Sequence, residues 1–386
     1  MSEVSHHNEK LVLIVAGEAS ADLHGSHLVR AMKKQNPGIS FCGIGGEKME
    51  AAGVKILFPS SQMAVVGLTE VFSRLPTILK AYRQLKKMLR DADPDLIILI
   101  DYPDFNIRLA GVAKRFGVPV LYYISPQVWA WRKGRIKKIA DRMDRISVIL
   151  PFEKAYYKEY GIFPDYVGHP LMDSVPRSLP RPEVLRTLGL EGNGPILGLL
   201  PGSRIAEIEN LLPTMIEAAE ILSSLHKGLK CILPLASTVS RHLVENKTAQ
   251  SPVEIKLIQG NIYGALAACD LALVASGTVT LETAILGIPM IIAYKVSPIS
   301  YWIGKRIVNV PFIGLVNLVA GKGVVPELIQ NEVTPQRFAE EADAILKDGL
   351  TRENMIKNLG LVKERLGQGG ASEKTAKIAI EMMESS

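Results

Sequence analysis

The sequence predicts an α/β protein with two doubly wound parallel-sheet domains and a helical C-terminal tail. Short apolar runs typical of buried strands alternate with stretches of helical spacing, as in parallel sheets covered by helices. The alternation of predicted strands and helices begins again after a segment containing Pro176, Pro180 and Pro182. A chain of 386 residues is long enough for two hydrophobic cores. We expect domains at 1–175 and 176–333, with the tail at 334–386 packing on the first domain or on a partner subunit.

The net charge of +6 belongs entirely to the first predicted domain. Residues 1–175 contain 24 Lys and Arg against 18 Asp and Glu, whereas the remainder contains 21 of each class. A basic surface suits anionic lipid or a phosphorylated substrate, although a solvated basic face is the commoner cause of a modest excess.

The cysteine count and the hydropathy predict a protein of a reducing compartment. The three cysteines are far apart in apolar settings, which argues against disulfides and a metal cluster. No apolar run approaches the ~20 residues of a spanning helix, and the first ten residues lack the apolar core of a signal peptide. We expect a cytoplasmic protein that spans no membrane.

The first strand, 11–16, leads into GEASADLHGSH, where small residues predict a tight turn before a helix carrying Leu28, Val29 and Met32. This is a Rossmann-type turn without the G-x-G-x-x-G fingerprint, so binding of NAD is disfavoured.

A second candidate site follows the predicted strand 95–100. Asp101 and Asp104 lie where that strand ends, and open α/β sheets bind ligands at the carboxyl ends of their strands. We assign Asp101 as a general base that accepts a proton from an attacking hydroxyl, and Asp104 as a helix cap. His24 and His169 are the next candidates for the base, and a structural histidine is an equally good interpretation of His169.

The second half presents its candidate site in ASGTVTLETAILGIP, residues 275–289. Ser276, Gly277 and Thr278 open a helix after a buried strand and offer backbone N–H groups to a phosphate. Glu282 lies one turn further, within reach of an attached sugar. Arg204, after a second small-residue turn, suits a diphosphate because its planar guanidinium matches phosphate oxygens. An ordinary strand-to-helix connection remains the alternative.

A membrane contact is predicted at MAVVGL, residues 63–68, through Met63, Val65, Val66 and Leu68. The following helix has basic side chains and one apolar stripe expected to pack inward, formed by Val71, Leu75, Ile78, Tyr82, Leu85 and Leu89. Residues 125–138 combine tryptophans with basic side chains, but these fall along one helix, so nucleic acid is disfavoured as a partner.

Taken together, these motifs resemble those of the lipid-A-disaccharide synthase family of GT-B glycosyltransferases. The matching stretches span nearly the whole chain in family order: GEASADLHG, DYPDFN, YYISPQVWAWR, LPFEK, GHPLMD, LPGSR, ASGTVTLE and GLVNLVAG. One departure is Ala21, where the family usually has glycine. Either the backbone there is unstrained or the local geometry differs.

The resemblance implies two Rossmann-like domains facing a cleft and an inverting transfer of 2,3-diacylglucosamine from UDP-2,3-diacylglucosamine to the 6-hydroxyl of lipid X, 2,3-diacylglucosamine 1-phosphate. It implies catalytic roles for Asp101 and Arg204, no metal or other cofactor, a location on the inner membrane, and homodimers formed through C-terminal elements. It also implies substrate or UDP contacts by Glu18, Ser20, Ser203, Ser276, Gly277, Thr278, Glu282 and Asn317.

Two other functions remain open from the sequence. The first is another UDP-N-acetylglucosamine-dependent GT-B enzyme, either a peptidoglycan glycosyltransferase or a 2-epimerase. The second is a membrane or nucleic-acid binding protein with a vestigial nucleotide fold, which would bind polyanions in a salt-sensitive way without turnover. The presence of Asp101, Arg204 and Glu282 at predicted strand ends favours an enzyme.

Overall fold

The computed structural model describes residues 10–63, 68–129, 134–176, 179–190, 192–236, 238–307 and 310–385. The chain forms two compact units, one of Met1–Pro170 with Gln368–Ser386 and the other of Leu171–Gly367. Each contains a parallel sheet covered by helices, which confirms the predicted fold class. The division lies slightly before the expected boundary at residue 175, and the tail predicted as one segment is shared between the units.

The sheet of the first unit has the order β3-β2-β1-β4-β5-β6-β7, and all of its strand pairs are parallel. Its strands are β1 (Lys10–Ala16), β2 (Ile39–Gly45), β3 (Val54–Pro59), β4 (Leu96–Ile100), β5 (Val120–Tyr123), β6 (Arg145–Val148) and β7 (Asp165–Tyr166). The apolar pattern did not predict β3 and β7. Strand order reverses between β1 and β4, so the turns that follow these two strands diverge and leave room for a ligand.

Two apolar cores cover the faces of this sheet. On one face α1 packs beside α17, and on the other α3, α4 and α5 pack in succession. The helices of the first unit are α1 (Ala19–Gln35), α2 (Glu47–Ala51), α3 (Leu68–Asp91), α4 (Pro103–Arg115), α5 (Arg135–Arg142), α6 (Pro151–Lys158) and, from the C-terminus, α17 (Ala371–Glu384).

Helix α1 begins earlier than predicted. The tight turn expected across GEASADLHGSH is confined to the first residues of that segment, because α1 already starts at Ala19. Ala21 is buried in the first turn of this helix and has no positive φ. Alanine in place of glycine is therefore unstrained there, and it favours the helix.

The apolar stripe of α3 is buried from Ile78 onward. Leu85 and Leu89 lie in the core, with Ile78 and Tyr82 packed against it. Leu75, however, is 44% exposed. The prediction of an inward stripe is correct from Ile78 onward and wrong at Leu75.

The sheet of the second unit has the order β10-β9-β8-β11-β12-β13 and is again parallel throughout. Its strands are β8 (Ile196–Leu200), β9 (Lys230–Leu235), β10 (Ile255–Gln259), β11 (Leu271–Ala275), β12 (Met290–Tyr294) and β13 (Glu327–Ile329). Strand β13 was not predicted. The order reverses between β8 and β11, so the predicted Arg204 and Ser276 turns follow the two strands at the switch point.

The helices of the second unit are α7 (Leu171–Ser174), α8 (Arg181–Thr187), α9 (Ile205–Leu225), α10 (Arg241–Thr248), α11 (Ile262–Ala268), α12 (Val279–Ile285), α13 (Pro298–Ile307), α14 (Leu315–Ala320), α15 (Pro335–Lys347) and α16 (Gly349–Arg365). The helices of the tail are separate, because α15 ends at Lys347, α16 begins at Gly349 and ends at Arg365, and α17 begins at Ala371. Helix α15 packs on α9 within the second unit, whereas α17 packs on α1 within the first.

Gly43 is required where β2 pairs with β1. Its φ is 152°, and a Cβ atom there would lie 1.8 Å from the carbonyl oxygen of Ile14. We expect Gly43→Ala to lower the free energy of unfolding by about 3 kcal/mol or more, because it adds backbone strain to a steric clash. Chemical denaturation measures this change.

The matched control is Gly360→Ala in α16, where a Cβ would meet nothing within 4 Å. Alanine favours a helix over glycine by about 1 kcal/mol, so this variant should be unchanged or more stable. A Gly43→Ala protein as stable as the wild type would contradict the steric argument.

Candidate active site

The turn after β4 holds a catalytic candidate in a strained backbone. Asp101 and Tyr102 have φ values of 48° and 45°. A left-handed conformation costs about 1–2 kcal/mol for each such residue. The turn is held because the side-chain amide of Asn106 and the hydroxyl of Tyr122 both donate to the carbonyl oxygen of Asp101, each at 2.7 Å. Strain maintained in this way is typical of functional sites.

The surroundings of the Asp101 carboxyl group raise its pKa. Burial, reinforced by the negative charge of Glu18, raises the pKa of Asp101 to about 6. Glu18 precedes α1, so the turns after β1 and β4 place the two carboxylates within electrostatic reach. Gly17 leaves space for the ring of Tyr102, since a Cβ atom at Gly17 would lie 2.5 Å from the Tyr102 Cγ atom.

The capping role predicted for Asp104 is wrong. Helix α4 begins at Pro103 with Tyr102 as its N-cap, which places Asp104 inside the first turn. There its carboxylate forms an ion pair with Arg135 at the start of α5. Asp104 therefore joins two helices and leaves Asp101 as the acidic group of the turn.

The two histidine candidates are weaker bases than Asp101. Burial lowers the pKa of His24 to about 4, with the nearby charges of His27 and Lys48 acting in the same direction. Burial, with a contribution from His24, lowers the pKa of His169 to about 3. Basicity increases with pKa, so at neutral pH Asp101 is the strongest base of the three.

Glu153 is a buried residue whose role the sequence did not reveal. Its Oε1 atom accepts from the Trp129 indole N–H at 3.1 Å, and Oε2 accepts from the Leu150 N–H at 2.9 Å. The carboxylate thus ties the loop after β5, which begins at Ile124 with a φ of 59°, to the start of α6. The L-P-F-E pattern, with Glu at the third helical position, is the signal that could have predicted this contact.

In the second unit, Ser276 holds its turn in place. Its N–H donates to the carbonyl oxygen of Ala293 at 2.9 Å, and its hydroxyl donates to the carbonyl oxygen of Ile313 at 3.1 Å. The N–H groups of Gly277 and Thr278 donate no backbone hydrogen bond to any residue that the structure describes. These two N–H groups are therefore candidate donors to an anion. Helix α12 has only seven residues, so its dipole adds little.

The turn containing Ser203 and Arg204 is closed by Glu207. The Ser203 and Arg204 N–H groups donate to Glu207 Oε2 at 2.9 and 3.2 Å, and the Arg204 guanidinium donates to Oε1 at 3.0 Å. Gly202 has a φ of 115°, and a Cβ there would lie 2.2 Å from Glu207 Oε2. The guanidinium remains largely exposed, so it is both positioned and accessible.

Glu282 has a hydroxyl partner that the sequence did not predict. Tyr263, at the start of α11, donates its hydroxyl to Glu282 Oε1 at 3.3 Å. Burial raises the pKa of Glu282, and the Tyr263 hydrogen bond acts in the opposite direction.

Asn317 needs a correction. Its Oδ1 atom accepts from the N–H groups of Val324 and Val325, and its Nδ2 atom donates to the Val325 carbonyl oxygen and to Glu327 Oε1. Because the buried amide is fully occupied by protein groups, the expected nucleotide contact is replaced by a positioning role. Glu327 also accepts from the Ile313 N–H at 2.8 Å, so this network supports the loop that anchors Ser276.

The remaining predicted contacts belong to the first unit. Glu18 and Ser20 are exposed where β1 ends. Met63 is completely buried in the core, so its predicted membrane contact is wrong for this conformation. Val65, Val66 and the side chain of Leu68 lie outside the described residues.

Among the helices described, none is long and apolar enough to cross a membrane. The described side chains include no group of three or more potential metal ligands arranged around one point.

Comparisons with known proteins assign the family. The model of the family described as lipid-A-disaccharide synthetase matches residues 12–381. The chain belongs to this family. It is 49% identical to the lipid-A-disaccharide synthase of Geobacter metallireducens, covering 97% of both chains, and 50% identical to that of Syntrophus aciditrophicus, covering 98% of this chain and 99% of the relative. As a member of the lipid-A-disaccharide synthase family, the chain is a glycosyltransferase of lipid A biosynthesis, and the other enzyme classes considered are not favoured.

Solved structures confirm the GT-B architecture of this family member. The chain is similar to a glycosyltransferase from Rickettsia africae, with a TM-score of 0.60 and 14% identity over 98% of this chain and 100% of the other. It is also similar to a UDP-GlcNAc 2-epimerase from Neisseria meningitidis bound to UDP-GlcNAc, with a TM-score of 0.63 and 13% identity over 97% of this chain and 100% of the other. At such identities the likeness shows the fold alone.

Glu153 should make stability depend on pH. Burial raises the pKa of Glu153 to about 7, above the ordinary value of 4.5. Between these values the unfolded chain loses the proton while the folded chain keeps it, so the free energy of unfolding should fall as pH rises from about 4.5 to about 7. Glu153→Gln should remove this part of the dependence in denaturation experiments across that range.

The matched control is Glu353→Gln, which removes an exposed carboxylate from α16. If both Glu153→Gln and Glu353→Gln kept the wild-type pH dependence of the free energy of unfolding, the buried carboxylate would not be the titrating group.

Proposed function

We propose that this chain transfers 2,3-diacylglucosamine from UDP-2,3-diacylglucosamine to the 6-hydroxyl of lipid X. The products are the β-1,6-linked lipid A disaccharide 1-phosphate and UDP. Family membership supports this reaction, and the observation that carries its chemistry is the raised pKa of Asp101 in a strained turn at a strand end.

Asp101 acts as the general base. A sugar hydroxyl is a poor nucleophile until its proton is removed during attack, and a positioned base contributes typically about 10²–10⁴-fold. A carboxylate with a pKa of about 6 is ionised at neutral pH and is a stronger base than an ordinary aspartate. The deprotonated 6-hydroxyl attacks the anomeric carbon opposite the bond to UDP, so the configuration inverts. Glu18 and Ser20 line the acceptor side of the same strand edge.

The second unit stabilises the leaving diphosphate. The N–H groups of Gly277 and Thr278, with the guanidinium of Arg204, supply donors to the charge that develops as the bond to UDP breaks. Ser203 and Ser276 shape the two turns that carry these donors, and Glu282 accepts hydrogen bonds from the ribose hydroxyls. Asn317 supports the Ser276 turn indirectly.

The acyl chains of both substrates place the reaction at the cytoplasmic surface of the inner membrane. Leu75 and Leu79 are 44% and 43% exposed on α3, close in sequence to Val65 and Val66. Together with the neighbouring basic side chains, such a patch suits insertion among anionic headgroups. We further propose a homodimer formed through C-terminal elements, with α17 as the element available for exchange.

Asp101→Asn tests the base. It should lower kcat/KM by at least about 100-fold, whereas Asp104→Asn should have a much smaller effect, since Asp104 forms an ion pair outside the chemistry. Wild-type kcat/KM should rise with pH through about 6, as Asp101 loses its proton. Disaccharide formation from UDP-2,3-diacylglucosamine and lipid X measures both effects.

Similar rates for wild type and folded Asp101→Asn would move the base elsewhere. A wild-type protein that binds UDP but forms no disaccharide would contradict the proposed reaction. Epimerisation of UDP-N-acetylglucosamine without an acceptor would identify the 2-epimerase alternative.

The membrane contact is tested by replacing Val65, Val66 and Leu68 together with serine. Binding to vesicles containing phosphatidylglycerol, measured by co-sedimentation, should weaken because apolar area is lost. Leu350→Ser removes a leucine that is 68% exposed in the second unit and should leave binding unchanged. Equal binding of the triple variant and the wild type would refute the proposed patch.

A further inference from the structure

Tyr263 and Glu282 come together from separate helices of the second unit. Tyr263 lies in the first turn of α11, after β10, and Glu282 lies in α12, after β11. The Tyr263 hydroxyl is 3.3 Å from Glu282 Oε1, and both side chains are partly buried. Because parallel strands end at the same edge of a sheet, the pair lies at the edge that carries Gly277 and Thr278.

The position of Tyr263 is set by a tight helix start. Asn261 caps α11 by accepting from the Gly264 N–H at 3.0 Å, and Gly260 before it has a φ of 79°. A Cβ atom at Gly264 would lie 2.4 Å from the Asn261 side-chain nitrogen, so glycine permits this cap. The first turn of α11 is therefore fixed, and with it the direction from which the Tyr263 hydroxyl approaches Glu282.

The Tyr263 hydrogen bond takes up only part of the accepting capacity of the Glu282 carboxylate. An ionised carboxylate has about four acceptor positions on two oxygens, and Tyr263 takes one of them on Oε1. This hydrogen bond orients the carboxyl group and is made to Oε1, so it does not occupy Oε2. Two adjacent hydroxyls, each donating one hydrogen bond, match such an acceptor. A ribose diol supplies that pair, whereas a 2′-deoxyribose lacks one member.

We propose that Tyr263 is a positioning residue that orients Glu282 toward the ribose hydroxyls of the bound nucleotide and thereby makes the site selective for ribonucleotides. This inference rests on the proposed binding of UDP by the second unit. Tyr263 acts through Glu282 and does not touch the nucleotide. The pKa of Glu282 supports this arrangement, because the Tyr263 hydrogen bond opposes the effect of burial and favours the ionised, accepting form.

The experiment compares UDP with 2′-deoxy-UDP by titration calorimetry on the full chain. Wild type should bind UDP at least about 10-fold more tightly, since 2′-deoxy-UDP lacks one of the two hydroxyls that donate to the charged carboxylate. Tyr263→Phe, which removes only the hydroxyl, should weaken UDP binding about 3- to 10-fold and leave 2′-deoxy-UDP binding nearly unchanged. Tyr301→Phe, on α13, is the matched control and should bind both ligands like the wild type.

A double-mutant cycle distinguishes positioning from direct contact. Glu282→Gln should abolish most of the preference for UDP, and adding Tyr263→Phe to it should have little further effect, because the two residues act as one unit. A further loss in the double variant, or an equal loss for both nucleotides, would show that Tyr263 contacts the ligand itself and would overturn the inference.

Other outcomes separate the inference from the proposed function. If Tyr263→Phe is folded, by circular dichroism, and keeps the wild-type preference, the inference is wrong while UDP binding stands. If the wild type binds both nucleotides equally, Glu282 does not bind the 2′-hydroxyl of the ribose, and the inference is wrong. A wild type that binds neither nucleotide contradicts the proposed function itself.

Discussion

Parallel pairing is the constraint on which the rest of this structure depends. Every strand pair described in both sheets is parallel, so each connection must cross a face of its sheet and return before the next strand begins. All turns that follow strand ends consequently collect at one edge of each sheet. Asp101 and Glu18 meet in this way in the first unit, and the Arg204 and Ser276 turns follow neighbouring strands in the second.

Burial at these edges gives the acidic residues their properties. The pKa values of Asp101, Glu153 and Glu282 are all raised chiefly by loss of solvent. Their partners then set different roles. Among the described residues, Asp101 lies near the negative charge of Glu18, Glu153 accepts four hydrogen bonds that hold a loop to a helix start, and Glu282 accepts one from Tyr263. The surroundings of a carboxyl group therefore set both its pKa and the hydrogen bonds that it accepts.

Sequence patterns predicted the strands with long apolar runs and the turns that follow them. Short or edge strands such as β3, β7 and β13 were not predicted, because a few residues with mixed polarity carry no periodic signal. Sequence position located Asp101, Arg204 and Glu282 near strand ends, but it could not identify their partners. Tyr263 is 19 residues from Glu282, and Glu327 is 10 residues from Asn317. In the sequence, polar residues at such separations look like ordinary surface residues.

The sequence alone determined the fold class, the two-domain organisation and the strand ends that bear the candidate site residues, since these depend on local apolar periodicity and turn residues. Tertiary structure decided which side chains are free to act. Asp104 looked like a cap and forms an ion pair, Asn317 looked like a ligand contact and is occupied by backbone groups and by Glu327, and Met63 looked like a membrane residue and is buried. Hydrogen-bond satisfaction and burial depend on neighbours distant in the chain, so only the folded structure could assign these roles.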